Sequence, residues 1–353
     1  MSDAAAVAPA LLAWHARHGR HDLPWQREPS AYRVWISEIM LQQTQVATVI
    51  GYFDRFMTRF PDLPTLAAAP LDEVLHLWSG LGYYSRARNL HRTAQQVVEQ
   101  HAGQLPASAA ELAGLPGIGR STAAAIRALS AGERVAILDG NVRRVLARYF
   151  NVSGAGTLRA VEQRLWQLAE DCTPARQVEV YTQAIMDLGA TVCVRRRPLC
   201  AACPLAAGCG AKRSGRQHEI PAPRPRPPRR TRAVVMLIAQ RPDGGVLLER
   251  RPDRGVWGGL WCPPQFPSQA AARLYASTVL EGATVDAASR PAIRHAFTHF
   301  ELEISPLFAR CAGWAGVMDG PSTLWYNPAQ PERLGLPAPV TSLIEGLAAQ
   351  SLT

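Results

Sequence analysis

Four cysteines, Cys193, Cys200, Cys203 and Cys209, fall within seventeen residues at the spacing C-x6-C-x2-C-x5-C and make up four of the seven in the chain. Pro198, Pro204, Gly208 and Gly210 punctuate the segment. Four thiolates converging from such a loop suit a tetrahedral metal or an iron–sulfur cluster, because soft sulfur donors satisfy either. Two disulfides are the alternative, opposed by the odd cysteine count and by a composition unlike that of small disulfide-stapled secreted domains. Zinc ribbons usually offer two close pairs, whereas this segment has a single C-x2-C, which favours a cubane cluster.

Two carboxylates also stand out. Glu38 lies in an apolar run with Trp35, Ile36, Ile39, Met40 and Leu41, so it is either on an outer face or shielded. Shielding raises a carboxyl pKa and makes the group a proton donor near neutrality. Asp139, in Ile137-Leu138-Asp139-Gly140-Asn141-Val142, stands at the mouth of an expected helix and fits either an N-cap or a catalytic anion. Leu41-Gln42-Gln43-Thr44-Gln45 sets three amides and a hydroxyl in a row, which also suits a plain polar helix face. Gly80-Leu81-Gly82-Tyr83-Tyr84 reads as an aromatic-tipped loop fit to wedge into a base stack, or as a packed corner. Leu115-Pro116-Gly117-Ile118-Gly119 separates helical stretches over 108–113 and 120–130. That is a helix–hairpin–helix whose glycines let a phosphate approach a helix start, or an ordinary corner between helices.

The elements that must hold these groups divide in two, as expected for 353 residues. From Ala8 to Ala190 the apolar period is helical, broken at Phe60-Pro61-Asp62-Leu63-Pro64, Ala69-Pro70 and Leu115-Pro116-Gly117. One helix, Val34 to Phe56, is expected to carry Glu38. Residues 1–215 therefore read as an all-α domain that includes the cysteine loop 193–209. Residues 216–232 hold six basic residues against one acid, and IPAPRPRPPRRTR from Ile220 contains five prolines, a semi-rigid tether. Residues 233–353 read as α+β or α/β. A hairpin joins 233–239 to 246–250 across Arg241-Pro-Asp-Gly-Gly, strand-like alternation spans 293–308, and a helix lies near 339–350.

Charge and composition narrow the function. The net charge of +10 belongs to the first two-thirds of the chain, since 233–353 balances nine basic residues against ten acids. A basic face points to nucleic acid or to a generic solvated surface. Of 38 basic residues only Lys212 is lysine, which leaves Schiff-base catalysis almost without a candidate. The longest aliphatic run, Val234 to Ala239, is too short to span a bilayer, so no membrane partner is expected. The alanine-rich start carries Asp3 and lacks a basic leader, which argues against secretion; a cytoplasmic, nucleoid-associated monomer is expected.

Taken together, Glu38 with LQQTQVATVI, GLGYYSRARNL, LPGIGRSTA, ILDGNVRRVL, QAIMDLGA (183–190) and the cysteine spacing resemble adenine DNA glycosylases of the MutY type, within the endonuclease III superfamily. The resemblance implies an all-α helix–hairpin–helix glycosylase domain with a [4Fe–4S] loop, then a Nudix-like α/β domain. It implies that Glu38 and Asp139 are catalytic, Asn141 supports Asp139, and Trp25, Leu41, Gln42, Gln183 and Met186 surround an extruded adenine. Gln43, Thr44, Leu81, Tyr83, Gly117 and Gly119 would contact the DNA, and the four cysteines would hold the cluster. Ser121 stands where related glycosylase/lyases carry lysine, which argues for base removal without strand cleavage. The implied substrate is duplex DNA with adenine opposite 8-oxoguanine, and secondarily opposite guanine.

In the same family a Phe-Ser-His loop of the C-terminal domain reads the oxidised base; here Phe297, Thr298 and His299 occupy it, with a β-branched hydroxyl in the serine position. The only acid between Gly255 and Ala283 is Glu281, too few to bind Mg²⁺ for Nudix hydrolysis. Two further readings are an endonuclease III-like glycosylase/lyase, opposed by Ser121, and a DNA-binding scaffold without catalysis, opposed by the presence of both carboxylates.

Overall fold

A computed structural model describes residues 3–154, 157–222, 228–287, 290–314 and 322–350. The first helices are α1 (Val7–His18), α2 (Ala31–Leu41), α3 (Val46–Arg59), α4 (Leu63–Ala68), α5 (Leu71–Trp78) and α6 (Ser85–Gln100). Then come α7 (Ala109–Ala113), α8 (Arg120–Ala131), α9 (Gly140–Tyr149), α10 (Leu158–Cys172), α11 (Val178–Asp187) and the short α12 (Gly210–Arg213). The chain forms two compact units. One joins Met1–Ala68 to Asn89–Pro225, and the other joins Ala69–Arg88 to Arg226–Thr353. Among the described residues no helix is long and apolar enough to cross a membrane.

In the first unit α8 is the hub. Its run Ala123, Ala124, Ala125 and Ala128 is buried and presents almost no side-chain bulk, so α2, α7 and α11 can all pack against it. A left-handed Gly132 ends it, φ 62°. Around it, Leu11, Trp14, Leu146, Leu165, Tyr181 and Ile185 belong to one buried cluster.

The expected helix over 34–56 is two helices. It breaks at Gln42–Gln45, where Gln43 takes a left-handed φ of 59° and Thr44 N–H returns to Leu41 O at 3.2 Å. The row of amides is thus a reversal between α2 and α3.

The second unit is a Nudix-like sheet domain. Its strands are β1 (Arg230–Gln240), β2 (Val246–Arg250), β3 (Trp261–Cys262), β4 (Gln265–Phe266), β5 (Leu280–Glu281), β6 (Thr284–Val285), β7 (Ile293–Ala296), β8 (Phe300–Arg310), β9 (Gly313–Trp314) and β10 (Thr323–Tyr326). Two helices join them, α13 (Gln269–Val279) and α14 (Ala338–Gln350). The main sheet runs β10-β2-β1-β8-β6. Its centre is a parallel β1–β8 pair in register from Arg230 with Phe300 to Gln240 with Arg310. The β1–β2 hairpin closes at Gln240 opposite Val246, across the expected turn. Val235, Leu237 and Ala239 pack with Ala272 and Ala276 of α13, while Met236 and Ile238 on the opposite face are also buried. Covering both faces suits a parallel central pair.

The boundaries differ from the expected ones in two ways. β1 already begins at Arg230, inside the expected tether, because partner strand β8 extends far enough to pair it; residues 223–227 of that tether lie outside the described residues. Residues 69–88 group with the sheet unit, where Asp72 accepts from Trp261 Nε1 at 3.2 Å and Glu73 from Arg333 at 2.8 Å.

Candidate active site and cysteine pocket

Helix α2 starts at Ser30, whose hydroxyl accepts from Arg33 N–H at 3.2 Å, and buries Val34, Trp35, Ile36, Ile39 and Met40. Glu38 is carried on the same turns and keeps part of its surface open. Loss of hydration is the main force on its carboxyl, and the nearby charge of Asp139 is the second; together they push its pKa up to about 8. The carboxyl therefore holds its proton at neutral pH.

Asp139 reaches that neighbourhood from α9. It is the N-cap of the helix, with Oδ1 accepting Val142 N–H at 2.7 Å, as the capping reading expects. Burial raises its pKa; the backbone N–H groups of Val142 and Asn141, and then Arg144, oppose the rise. Burial pushes both carboxyls up, but only Asp139 has a helix start and a cation working against the rise, whereas the charge of Asp139 adds to it at Glu38. Ser121 Oγ accepts Leu138 N–H at 3.0 Å and so fixes the residue preceding Asp139.

The remaining expected residues sit on the elements around α8. Gln42 reaches Thr122 Oγ1 at 3.5 Å, while Gln43 is exposed and Leu41 and Thr44 are half-buried. Trp25 is buried in a short turn before α2 and meets Phe53 edge-on at 5.6 Å. Gln183 and Met186 lie on α11, which packs on α8; Gln183 is buried and donates to Asp187 at 2.8 Å. In the hairpin, Gly117 has φ 78° and a Cβ there would meet Asn89 at 2.8 Å, whereas a Cβ at Gly119, just before α8, would meet nothing within 4 Å. The open side of Gly119 is the part of the turn that a ligand can approach.

Two features went unnoticed in the sequence. Asn141 Oδ1 accepts from Arg144 Nη2 at 2.8 Å, and Arg144 also donates to Cys193 O at 2.7 Å and Gly189 O at 2.6 Å. One turn on, Arg148 is 3% exposed. It donates to Ile220 O at 2.8 Å, Val194 O at 2.8 Å, Arg195 O at 3.0 Å and Cys193 Sγ at 3.3 Å. Two arginines one turn apart in a helix that otherwise packs Val142, Val145, Leu146 and Ala147 were the available signal.

All four expected cysteines are free thiols and line one pocket with Leu188, Val192, Pro198 and the lone lysine, Lys212. Among the described residues, no group of three or more His, Cys, Asp or Glu is placed to hold a metal ion. Burial pushes the Cys193 and Cys203 thiols up, Cys203 to about 11. A group that takes them as thiolates must itself bring positive charge, as a metal cation does.

In the second unit Tyr83, at φ 49°, places its hydroxyl 3.0 Å from Thr298 Oγ1. Arg86 stacks on Tyr83 and Trp78 and donates to Gly82 O at 3.1 Å, while Leu81 is buried. Phe297 stacks on Phe300 with centroids 4.5 Å apart, leaving Thr298 and His299 exposed in the β7–β8 turn.

Residues 36–171 match the family described as "HhH-GPD superfamily base excision DNA repair protein", and residues 234–346 match the NUDIX domain. A thermostable thymine-DNA glycosylase superposes with a TM-score of 0.53 at 27% identity, covering 59% of this chain and 95% of its own. These define a helix–hairpin–helix base-excision glycosylase followed along the chain by a Nudix-like domain. The chain is 35% identical to the adenine DNA glycosylase of Buchnera aphidicola subsp. Acyrthosiphon pisum over 95% of both chains. It is 34% identical to that of Homo sapiens, over 86% of this chain and 66% of the human one. The chain belongs to the adenine DNA glycosylase family, DNA-acting hydrolases of N-glycosyl bonds in base-excision repair.

Proposed function

We propose that this chain removes adenine paired with 8-oxoguanine, and secondarily with guanine, from duplex DNA without cutting the strand. The observation that supports the assignment of roles is the pair of carboxyls on α2 and α9, near enough for the charge of Asp139 to act on Glu38, one kept protonated chiefly by burial and one held at a helix N-terminus. Protonated Glu38 donates its proton to adenine N7 while the C1′–N9 bond breaks, so the bonding electrons leave with a neutral base. Positive charge grows on the sugar, where ionised Asp139 stabilises it or bonds to C1′. Water then adds its oxygen to C1′, releasing the Asp139 carboxylate if it was bonded, and gives its proton to the now ionised Glu38. Asn141 steadies Asp139, and Trp25, Leu41, Gln42, Gln183 and Met186 enclose the extruded base.

Gln43, Thr44, Leu81 and Tyr83 meet the opposite strand, Gly117 and Gly119 meet a phosphate, and Phe297, Thr298 and His299 read the oxidised guanine. Ser121 in place of a lysine, with Lys212 lining the cysteine pocket instead, removes the amine that strand cleavage needs. Cys193, Cys200, Cys203 and Cys209 would hold a [4Fe–4S] cluster that orders the loop bearing Arg195, Arg196 and Arg197.

The test uses labelled duplexes containing adenine opposite 8-oxoguanine, adenine opposite guanine, or thymine glycol. Breaks at adenine that require hot alkali are expected, faster opposite 8-oxoguanine. Alkali-independent breaks at thymine glycol, or binding without any excision, would overturn the proposal.

A further inference from the structure

Protonation at N7 does not by itself choose adenine, because guanine and hypoxanthine carry the same nitrogen. Their difference lies at C6, where adenine offers an amine donor and the others a carbonyl acceptor. We infer that Asp187 is a positioning residue that gives the site its preference for a 6-amino purine, by fixing which end of the Gln183 amide is turned away from it. The inference rests on the reading that Gln183 faces the extruded base.

A glutamine amide has a donor end and an acceptor end, and its terminal torsion is broad, so an unrestrained side chain presents either. On α11, positions 183 and 187 share one face. Asp187 is fully buried and its carboxylate accepts four hydrogen bonds. Oδ1 accepts from Arg20 Nε at 2.8 Å, from Arg20 Nη2 at 2.6 Å and from Gln183 Nε2 at 2.8 Å. Oδ2 accepts from Arg20 N–H at 2.8 Å, with His15 Nε2 at 3.4 Å.

A carboxylate paired with a guanidinium only accepts. Gln183 must therefore give it the NH₂ end, since the reversed amide would set oxygen against oxygen in a buried place. Oε1 is left as the outward end and makes no hydrogen bond among the described residues. Arg20 is itself anchored, because its carbonyl accepts Gln26 Nε2 at 2.9 Å. An acceptor of fixed polarity bonds an exocyclic amine and repels a carbonyl in the same position, which is how a polar site rejects a near-isostere.

The experiment measures the affinity of the full chain for duplexes with 8-oxoguanine opposite uncleavable 2′-fluoro analogues of deoxyadenosine, deoxyinosine and unsubstituted purine deoxyriboside. In Asp187→Asn the new amide can offer its own NH₂, letting Gln183 reverse. The adenine-over-hypoxanthine ratio is expected to fall by at least about tenfold, while Asp187→Glu, which keeps the carboxylate, restores most of it. Gln183→Leu should bring the ratio towards one.

An unchanged ratio in Asp187→Asn alongside a collapsed one in Gln183→Leu overturns the inference and leaves the pocket reading intact. An unchanged ratio in both variants overturns the pocket reading, and the inference with it. Should Asp187→Asn fail to fold, the wild-type order still decides. Affinity falling from adenine through purine to hypoxanthine supports the fixed acceptor, and hypoxanthine binding as well as purine overturns it.

Discussion

Replacing Glu38 with glutamine should stabilise the fold and, on the proposed role, end excision. Burial and the Asp139 charge move the Glu38 carboxyl from 4.5 to about 8. At pH 7 the unfolded chain has released that proton and the folded chain keeps it. Folding must therefore take the proton back, at ~1.36 kcal/mol for each pH unit above 4.5, on the order of 3 kcal/mol in all. The side chain retains some contact with water, and screening reduces the expected gain for Glu38→Gln to about 1–2 kcal/mol. For a unit of this size that is a rise in Tm of roughly 2–8 °C.

The sign follows from a raised carboxyl pKa. The penalty is absent below 4.5, grows as pH rises towards about 8, and is constant above that. Thermal and urea unfolding of both proteins across this range should show the two curves meeting at the acid end and separating as pH rises. A variant no more stable than wild type at the alkaline end, or a gain that ignores pH, would refute the reasoning.

Further outcomes follow from the same geometry. The single-turnover excision rate should fall about tenfold per unit above the Glu38 pKa of about 8, because the donor is then ionised. Its acid limb should lie above the usual aspartate range, because burial raises Asp139. Thr298→Ala and Tyr83→Phe should each reduce the preference for 8-oxoguanine over guanine by roughly fivefold in competition binding, and the double variant should lose little more, since both break the same hydroxyl contact. Cys203→Ser should yield protein with iron well below about four atoms per chain by metal analysis and with a lower melting temperature.

What the sequence disclosed depended on how locally each signal was written. Asp139 was legible because an N-cap needs only a short polar side chain before an apolar run, and the cysteines because their spacing is self-contained. The break between α2 and α3 was hidden, since no glycine or proline marks it and the turn is made by Gln43 in a conformation that side chains rarely adopt. The partners of Arg144, Arg148 and Asp187 were hidden for another reason. Each makes contacts across gaps of 45 to 167 residues, and only folding shows that a charged residue in an apolar stripe has found its partners. The grouping of 69–88 with the sheet unit rests on equally long-range pairs, such as Asp72 with Trp261.

The central claim is that an ionised Asp139 acts on the same nucleoside that a protonated Glu38 activates. Its most direct test is single-turnover excision by Asp139→Asn on a duplex with adenine opposite 8-oxoguanine, with binding measured alongside. Asparagine keeps an oxygen for the Val142 N–H but cannot carry the charge. The account predicts affinity near that of wild type with adenine release slowed by at least about a thousandfold. Release at the wild-type rate by a variant that binds normally would contradict it.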